Sequence, residues 1–136
     1  GIDNVACGRM AAQTLVARGY RKLAFLGGPR LATSTEDRLA GFRSELAAHG
    51  LTPAISFADA YSFEAGRGAM ASILGANRAE AYFCGDDVLS IGAMAAIQAK
   101  GLSVPDDIGL IGVNDMEMSG WSNINLTTLH QPVAPP

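Results

Sequence analysis

The sequence predicts an α/β domain built on a parallel sheet of about five strands, with helices on both faces. Three observations carry that prediction. Short apolar runs begin near residues 23, 55, 80 and 109, at intervals close to the roughly 30 residues of one strand-helix-strand crossover. The segments between them have helical apolar spacing and end on Gly or Asn. The runs themselves are apolar without clean alternation, as strands become when helices cover both sides of a sheet.

Each element has its own signal. Asp3-Asn4 opens a helix whose apolar side is Val5, Met10, Ala11, Leu15 and Val16, and Gly19 stops it. KLAFLG (22–27) is a buried strand ending in the turn Gly27-Gly28-Pro29. After a polar loop from Arg30 to Thr35, a helix from about Glu36 places Leu39, Phe42 and Leu46 on one side and ends at Gly50. AISFADAY (54–61) is the second strand, and Ser62 caps a helix through Leu74. AEAYFCG (79–85) is the third strand. Asp86-Asp87 open a helix that ends at Lys100-Gly101. DIGLIGVN (107–114) is the fourth strand. A looser stretch, 115–125, precedes LTTL (126–129), a candidate fifth strand.

Composition narrows the function classes. The 136 residues allow a single domain, 1–136. A net charge of -3 argues against gripping nucleic acid with this piece. No apolar run approaches the roughly 20 residues of a membrane helix, and no signal peptide is visible at the start. The chain begins at Gly1 rather than Met, so a piece of a longer protein is expected. Cys7 and Cys84 are isolated, with neither zinc-ligand spacing nor a disulfide framework, which suits a reducing cytoplasm.

In a parallel α/β sheet every strand-to-helix loop emerges at one edge, and ligands bind there. That edge collects Ser34, Arg38, Tyr61, Asp86, Asp87, Asn114 and Asp115. The opposite edge holds mostly helix stops. Carboxylates, amides, a guanidinium and an aromatic ring suit a small polar ligand. Catalysis is not expected. No G-x-x-x-x-G-K-[ST] loop or G-x-S-x-G elbow is present, His49 lies at the wrong edge, and His130 has no evident nucleophile partner. Asp86, Asp87 and Asp115 could hold Mg²⁺, but nothing beside them suggests phosphoryl transfer, so neither metal nor cofactor is assigned.

DRLAGF (37–42), FCGDDVLSIGAM (83–94), GLSVPDDIGLIGVND (101–115) and LTTLHQP (126–132) together resemble the lactose-repressor (LacI) family of bacterial transcription regulators. The resemblance covers nearly the whole chain in the family's order. It implies the C-terminal lobe of a two-lobed effector-binding domain, with the first lobe and the DNA-binding head lying outside these residues. The alternative in the same fold is a periplasmic-type sugar or solute-binding protein. The Val-Pro-x-Asp-Ile and Leu-Thr-Thr motifs favour the regulator.

The resemblance also implies roles. Arg38 matches an effector-contacting arginine; the plainer reading is an exposed arginine paired with Glu36 or Asp37. Asp86 stands where the family usually has Asn, and Asp87 matches its near-invariant Asp. We expect Asp87 to cap the helix and Asp86 to face ligand, which disfavours an anion there. Asn114 stands where many members have Asp, and Tyr61 where an aromatic packs on effector. Ser34 and Gln131 are family contact positions. Asp3 is the weakest candidate, because capping explains it fully.

The helix 87–100 has almost no polar side: Val88, Leu89, Ile91, Ala93, Met94, Ala95 and Ile97 point all round. Such a helix should be covered on every side, and a second chain is the natural cover. Family dimers use this helix and the segment around 120. The expected homodimer face therefore includes Ile91, Ala95 and Trp121. The expected partners are a small sugar-like effector, a second copy, and operator DNA through the head.

Overall fold

The computed structural model describes residues 3–29 and 33–113, and the backbone of two short strands at 124–126 and 131–132. The elements run α1 (Asn4–Ala17), β1 (Leu23–Gly27), α2 (Thr33–Ala48), β2 (Ala54–Phe57), α3 (Phe63–Ala76), β3 (Ala81–Cys84), α4 (Asp87–Ala99), β4 (Gly109–Val113), β5 (Ile124–Leu126) and β6 (Gln131–Pro132). They form one six-stranded sheet in the order β2-β1-β3-β4-β5-β6. The pairs β1–β2, β1–β3 and β3–β4 are parallel, as predicted. β5 and β6 differ from the expectation: both pair antiparallel. The fifth strand falls at 124–126 rather than 126–129.

Side-chain alternation along the strands separates two cores. Leu23, Phe25, Ala81, Phe83, Ile111 and Val113 face one way, against Cys7, Ala11 and Leu15 of α1 and Leu39, Phe42 and Leu46 of α2. Ala24, Leu26, Tyr82, Cys84 and Leu110 face the other way, against Met70 of α3 and Ala93, Ala96 and Ile97 of α4. β1, β3 and β4 are thus buried on both sides, which is why their sequences show no polar alternation. Phe25, Phe42 and Phe83 pack edge-on or tilted at centroid distances of 5.1–6.2 Å.

Three helix ends share one closure. After α1, Gly19 adopts φ 92°, its N–H bonds to Val16, and the Tyr20 N–H reaches back to Leu15. Gly50 and Leu51 repeat this after α2, and Gly101 and Leu102 after α4. A Gly followed by an apolar residue is the sequence form of this stop.

Among the helices and parallel strands, two boundaries moved by three residues or more. α2 begins at Thr33, three residues before the expected Glu36, so Ser34 and Thr35 lie inside the helix. β2 ends at Phe57 rather than Tyr61. Its neighbour β1 ends at Gly27, whose carbonyl takes the Ala58 N–H at 2.7 Å, and beyond that point β2 has no strand to pair with.

Helix packing depends on glycines. A Cβ on Gly8 of α1 would overlap the Arg38 carbonyl of α2, and one on Gly41 of α2 would overlap the Val5 carbonyl of α1. On the other face, Gly66 of α3 sits against the Leu89 backbone, and Gly92 of α4 against Phe63 and Arg67. Each helix pair is therefore in backbone contact in both directions. Among the described residues, no helix is long and apolar enough to cross a membrane.

Candidate functional site

The strand order reverses between β1 and β3. α2, which leaves β1, covers one face of the sheet, and α4, which leaves β3, covers the other. The β1–α2 and β3–α4 connections therefore diverge, and a crevice opens between them at the carboxyl ends of the strands.

Arg38 lies in this crevice. It is 4% exposed, so the plainer reading of an exposed arginine does not hold. Its Nε donates to Asn4 Oδ1 at 3.0 Å, and its Nη1 donates to the Gly85 carbonyl at 2.6 Å. The guanidinium thus ties the start of α1 to the turn that enters α4. A bond from a charged donor to a fixed carbonyl is among the stronger protein hydrogen bonds. Gly85 is itself held, because its N–H bonds to the Leu26 carbonyl at 2.9 Å.

Tyr61 follows β2 and is 40% exposed. Its hydroxyl hydrogen-bonds the buried Thr35 hydroxyl of α2, and its ring lies over Gly28, where a Cβ would strike ring atoms. The ring is therefore fixed at its edge and across its back. Ser34, beside Thr35, is half-buried at the start of α2.

The cap falls on the other of the two adjacent acids. Asp86, not Asp87, is the N-cap of α4, with Oδ1 accepting from the Val88 N–H at 2.9 Å. The helix starts one residue earlier than the assignment of the cap to Asp87 requires, so Asp87 falls in the first turn. Both carboxylates meet the positive end of the helix dipole. Asp3 caps α1 by accepting from the Ala6 N–H at 3.0 Å, as the capping reading expects.

The fold thus brings Asp3, Ser34, Arg38, Tyr61 and Asp86 to one edge. Asn114 and Trp121 lie outside the described residues, and only the backbone of Gln131 is described, in β6. Sequence reasoning missed Asn4 and Thr35, the side chains that hold Arg38 and Tyr61. Asn4 reads as part of a cap, and Thr35 reads as loop. The described residues at and near this edge include the acids Asp3, Glu36, Asp37, Asp59, Asp86 and Asp87 beside the one arginine Arg38. Such a surface suits a hydroxyl-rich neutral ligand better than an anion.

Cys84 ends β3 at the floor of this rim. Burial, with a smaller push from the Asp86 charge, raises its thiol to about 12, so it is not a ready thiolate. No cluster of three or more His, Cys, Asp or Glu able to hold a metal ion occurs among the described residues.

Two grooves lie away from the crevice. One of about 480 Å³ runs between β2 and α3, lined by Ser56, Asp59, Glu64, Gly68 and Ser72. The other, of about 400 Å³, runs beside α4 and reaches β4, with Phe63, Ser90, Ile91, Ala95, Gln98 and Gly112 in its lining. Ile91 is 54% exposed in this single chain and Ala95 is half-buried, so α4 is not covered on every side by its own fold.

Comparison with known proteins agrees with this fold. The sequence profile of the family described as periplasmic binding protein-like domain matches residues 12–135. The chain is 30% identical over 135 residues to the HTH-type transcriptional regulator CelR of Thermobifida fusca, covering 96% of this chain and 39% of that protein. It is 36% identical to the HTH-type transcriptional repressor PurR of Escherichia coli O1:K1 / APEC, covering 96% of this chain and 40% of that one. The chain therefore spans about two fifths of the length of the curated relatives it matches. Among solved structures, a regulatory protein of the LacI family from Chloroflexus aggregans superposes with a TM-score of 0.78 at 32% identity, covering 86% of this chain and 43% of that chain. A transcriptional regulator CelR–cellobiose complex superposes with a TM-score of 0.78 at 31% identity, covering 88% of this chain and 38% of that chain.

Proposed function

Because the chain belongs to the periplasmic binding protein-like domain family and its relatives are LacI-type regulators, we propose that it is the C-terminal lobe of a LacI-type regulator's effector-binding domain. A small sugar-like molecule binds at the crevice between β1 and β3. The observation that carries this reading is the buried guanidinium of Arg38, held across that crevice by Asn4 and Gly85. A buried arginine so tethered has its plane set in advance, and a preset donor fork loses little entropy when it meets ligand hydroxyls.

Arg38, Asp86, Asn114, Tyr61, Ser34 and Gln131 line the ligand side, with Asp3 at its margin. Asp86 contributes an acceptor and Tyr61 a ring face, a combination that suits a sugar. The sugar class is supported by the relative solved with cellobiose. The first lobe supplies the other wall of the cleft. Ligand that favours one arrangement of the two lobes shifts that equilibrium, and the paired DNA-binding heads respond. The regulator is a cytoplasmic homodimer without enzymatic activity, and the outer side of α4, with Ile91 and Ala95, joins the region of Trp121 in the dimer face.

Calorimetry of the full-length protein against a sugar panel that includes cellobiose tests the proposal. Binding by one member, weakened at least about tenfold in Arg38→Ala, is the expected result; tenfold corresponds to about 1.4 kcal/mol. An unchanged affinity in a folded Arg38→Ala protein sinks the site. Silence across the panel sinks the sugar class.

A further inference from the structure

We infer that Asn4 is a positioning residue for the guanidinium of Arg38, linking the first turn of α1 to the ligand-binding crevice. The inference deepens the proposed function and rests on Arg38 meeting ligand.

Helix chemistry does not explain this amide. Asp3 already caps α1, so Asn4 occupies the first helical position, where Asn is a weaker helix former than Ala. Its side chain instead turns to α2 and accepts from Arg38 Nε at 3.0 Å. The guanidinium is a planar fork. A bond at Nε to Asn4 and a bond at Nη1 to the Gly85 carbonyl fix two points of that plane. The Gly85 anchor is backbone, held in the sheet through its bond to Leu26. The Asn4 anchor is a side chain, and its placement follows α1. α1 in turn is seated by Gly8 on the carbonyl of Arg38 itself. A movement of α1 over α2 is therefore transmitted to the guanidinium at both ends of the same residue.

The choice of amide over carboxylate also matters. Asn4 accepts the Nε–H without adding negative charge. Asp at this position would accept the same bond but would partly neutralise the guanidinium.

The test uses the full-length protein, labelled with ¹⁵N at arginine. The Arg38 Nε–H resonance is assigned by its loss in Arg38→Lys, and its hydrogen exchange is measured without ligand. We expect slow exchange in the parent protein and in Asn4→Asp. In Asn4→Ala, exchange accelerates at least tenfold while backbone amides of α1 keep their protection. Asn4→Ser, too short to make the same reach, serves as the second variant if the Ala protein does not fold. Equal Nε–H protection in the parent and in the folded Ala or Ser variant overturns the inference. Cellobiose titrations separate the two readings. Affinity lost in Arg38→Ala but unchanged in Asn4→Ala overturns the positioning role and leaves the site intact. Unchanged affinity in both, with the exchange result as expected, keeps the orientation by Asn4 and removes Arg38 from the ligand site.

Discussion

The Cβ that Gly8 lacks would overlap the backbone carbonyl oxygen of Arg38. Residue 8 thus sets how closely α1 approaches the helix that carries the crevice arginine. Gly41 does the reciprocal work against Val5. Neither contact can be relieved by a side-chain rotation, because both neighbours are backbone. Gly8→Ala should therefore push the helices apart and cost about 1–3 kcal/mol, the usual range for overpacking. Thermal unfolding of the variant measures it. An unchanged melting temperature would show that the α1–α2 approach is softer than this contact implies.

Two glycines in α3 should respond with opposite signs. Gly66 faces α4, and a Cβ there would lie 2.8 Å from the Leu89 carbonyl oxygen. Gly68 is exposed and its Cβ would meet nothing within 4 Å. Gly68→Ala should gain roughly 0.5–1 kcal/mol, because it removes backbone freedom from an open helix position. Gly66→Ala should lose stability. Denaturant melts of the two single variants, side by side, check the prediction, and a shared sign would refute it.

This contrast marks what the sequence could and could not tell. Helical spacing, short apolar runs and Gly stops located all four helices and the four parallel strands, because each signal is local. The bounds and antiparallel pairing of β5, and the whole of β6, were not legible: three- and two-residue strands carry too little pattern. The rim was legible as an edge, since topology alone sends Ser34, Arg38, Tyr61 and Asp86 there. Its internal wiring was not. That Asn4 meets Arg38, or Thr35 meets Tyr61, depends on helix approach distances across 34 and 26 residues of chain. Nothing in local spacing encodes them. The identity of the capping acid failed for a smaller reason, since Asp86 and Asp87 are both good caps and the helix start differs by one residue.

Glu80, at the edge away from the rim, should make stability depend on pH in the acid range. Glu80 Oε1 accepts the N–H groups of Arg21 at 2.7 Å and Lys22 at 2.9 Å. The Lys22 N–H, then the Arg21 N–H, hold its carboxyl below the ordinary value of 4.5. A depressed folded value means the unfolded chain takes up this proton first. The stabilisation is present above the unfolded value and is lost as pH falls through the folded one. Glu80→Gln keeps an acceptor but not the charge. The parent protein should be the more stable at pH 7, and the gap should close as pH falls below about 4. Melting temperatures of both proteins from pH 7 to pH 3 test this, and a constant gap would assign the effect to shape rather than charge.

Asp86 combines a cap with a place on the rim, and two substitutions separate these roles. Its Oδ1 accepts the Val88 N–H at 2.9 Å. Asn caps helices about as well as Asp, whereas Ala gives up the bond at a cost of about 1 kcal/mol. Asp86→Asn should therefore melt close to the parent protein and Asp86→Ala clearly below it. Ligand should register the change differently. Asn replaces an acceptor-only group by one that also donates, so a sugar hydroxyl that donates to the carboxylate loses a charge-assisted bond in Asp86→Asn while the helix start stays closed. Calorimetry with whichever member of the sugar panel binds the full-length protein should show weaker affinity for Asp86→Asn at near-constant stability. Equal melting temperatures for the Asn and Ala variants would remove the cap, and equal affinities for the parent and Asp86→Asn would remove Asp86 from the ligand site.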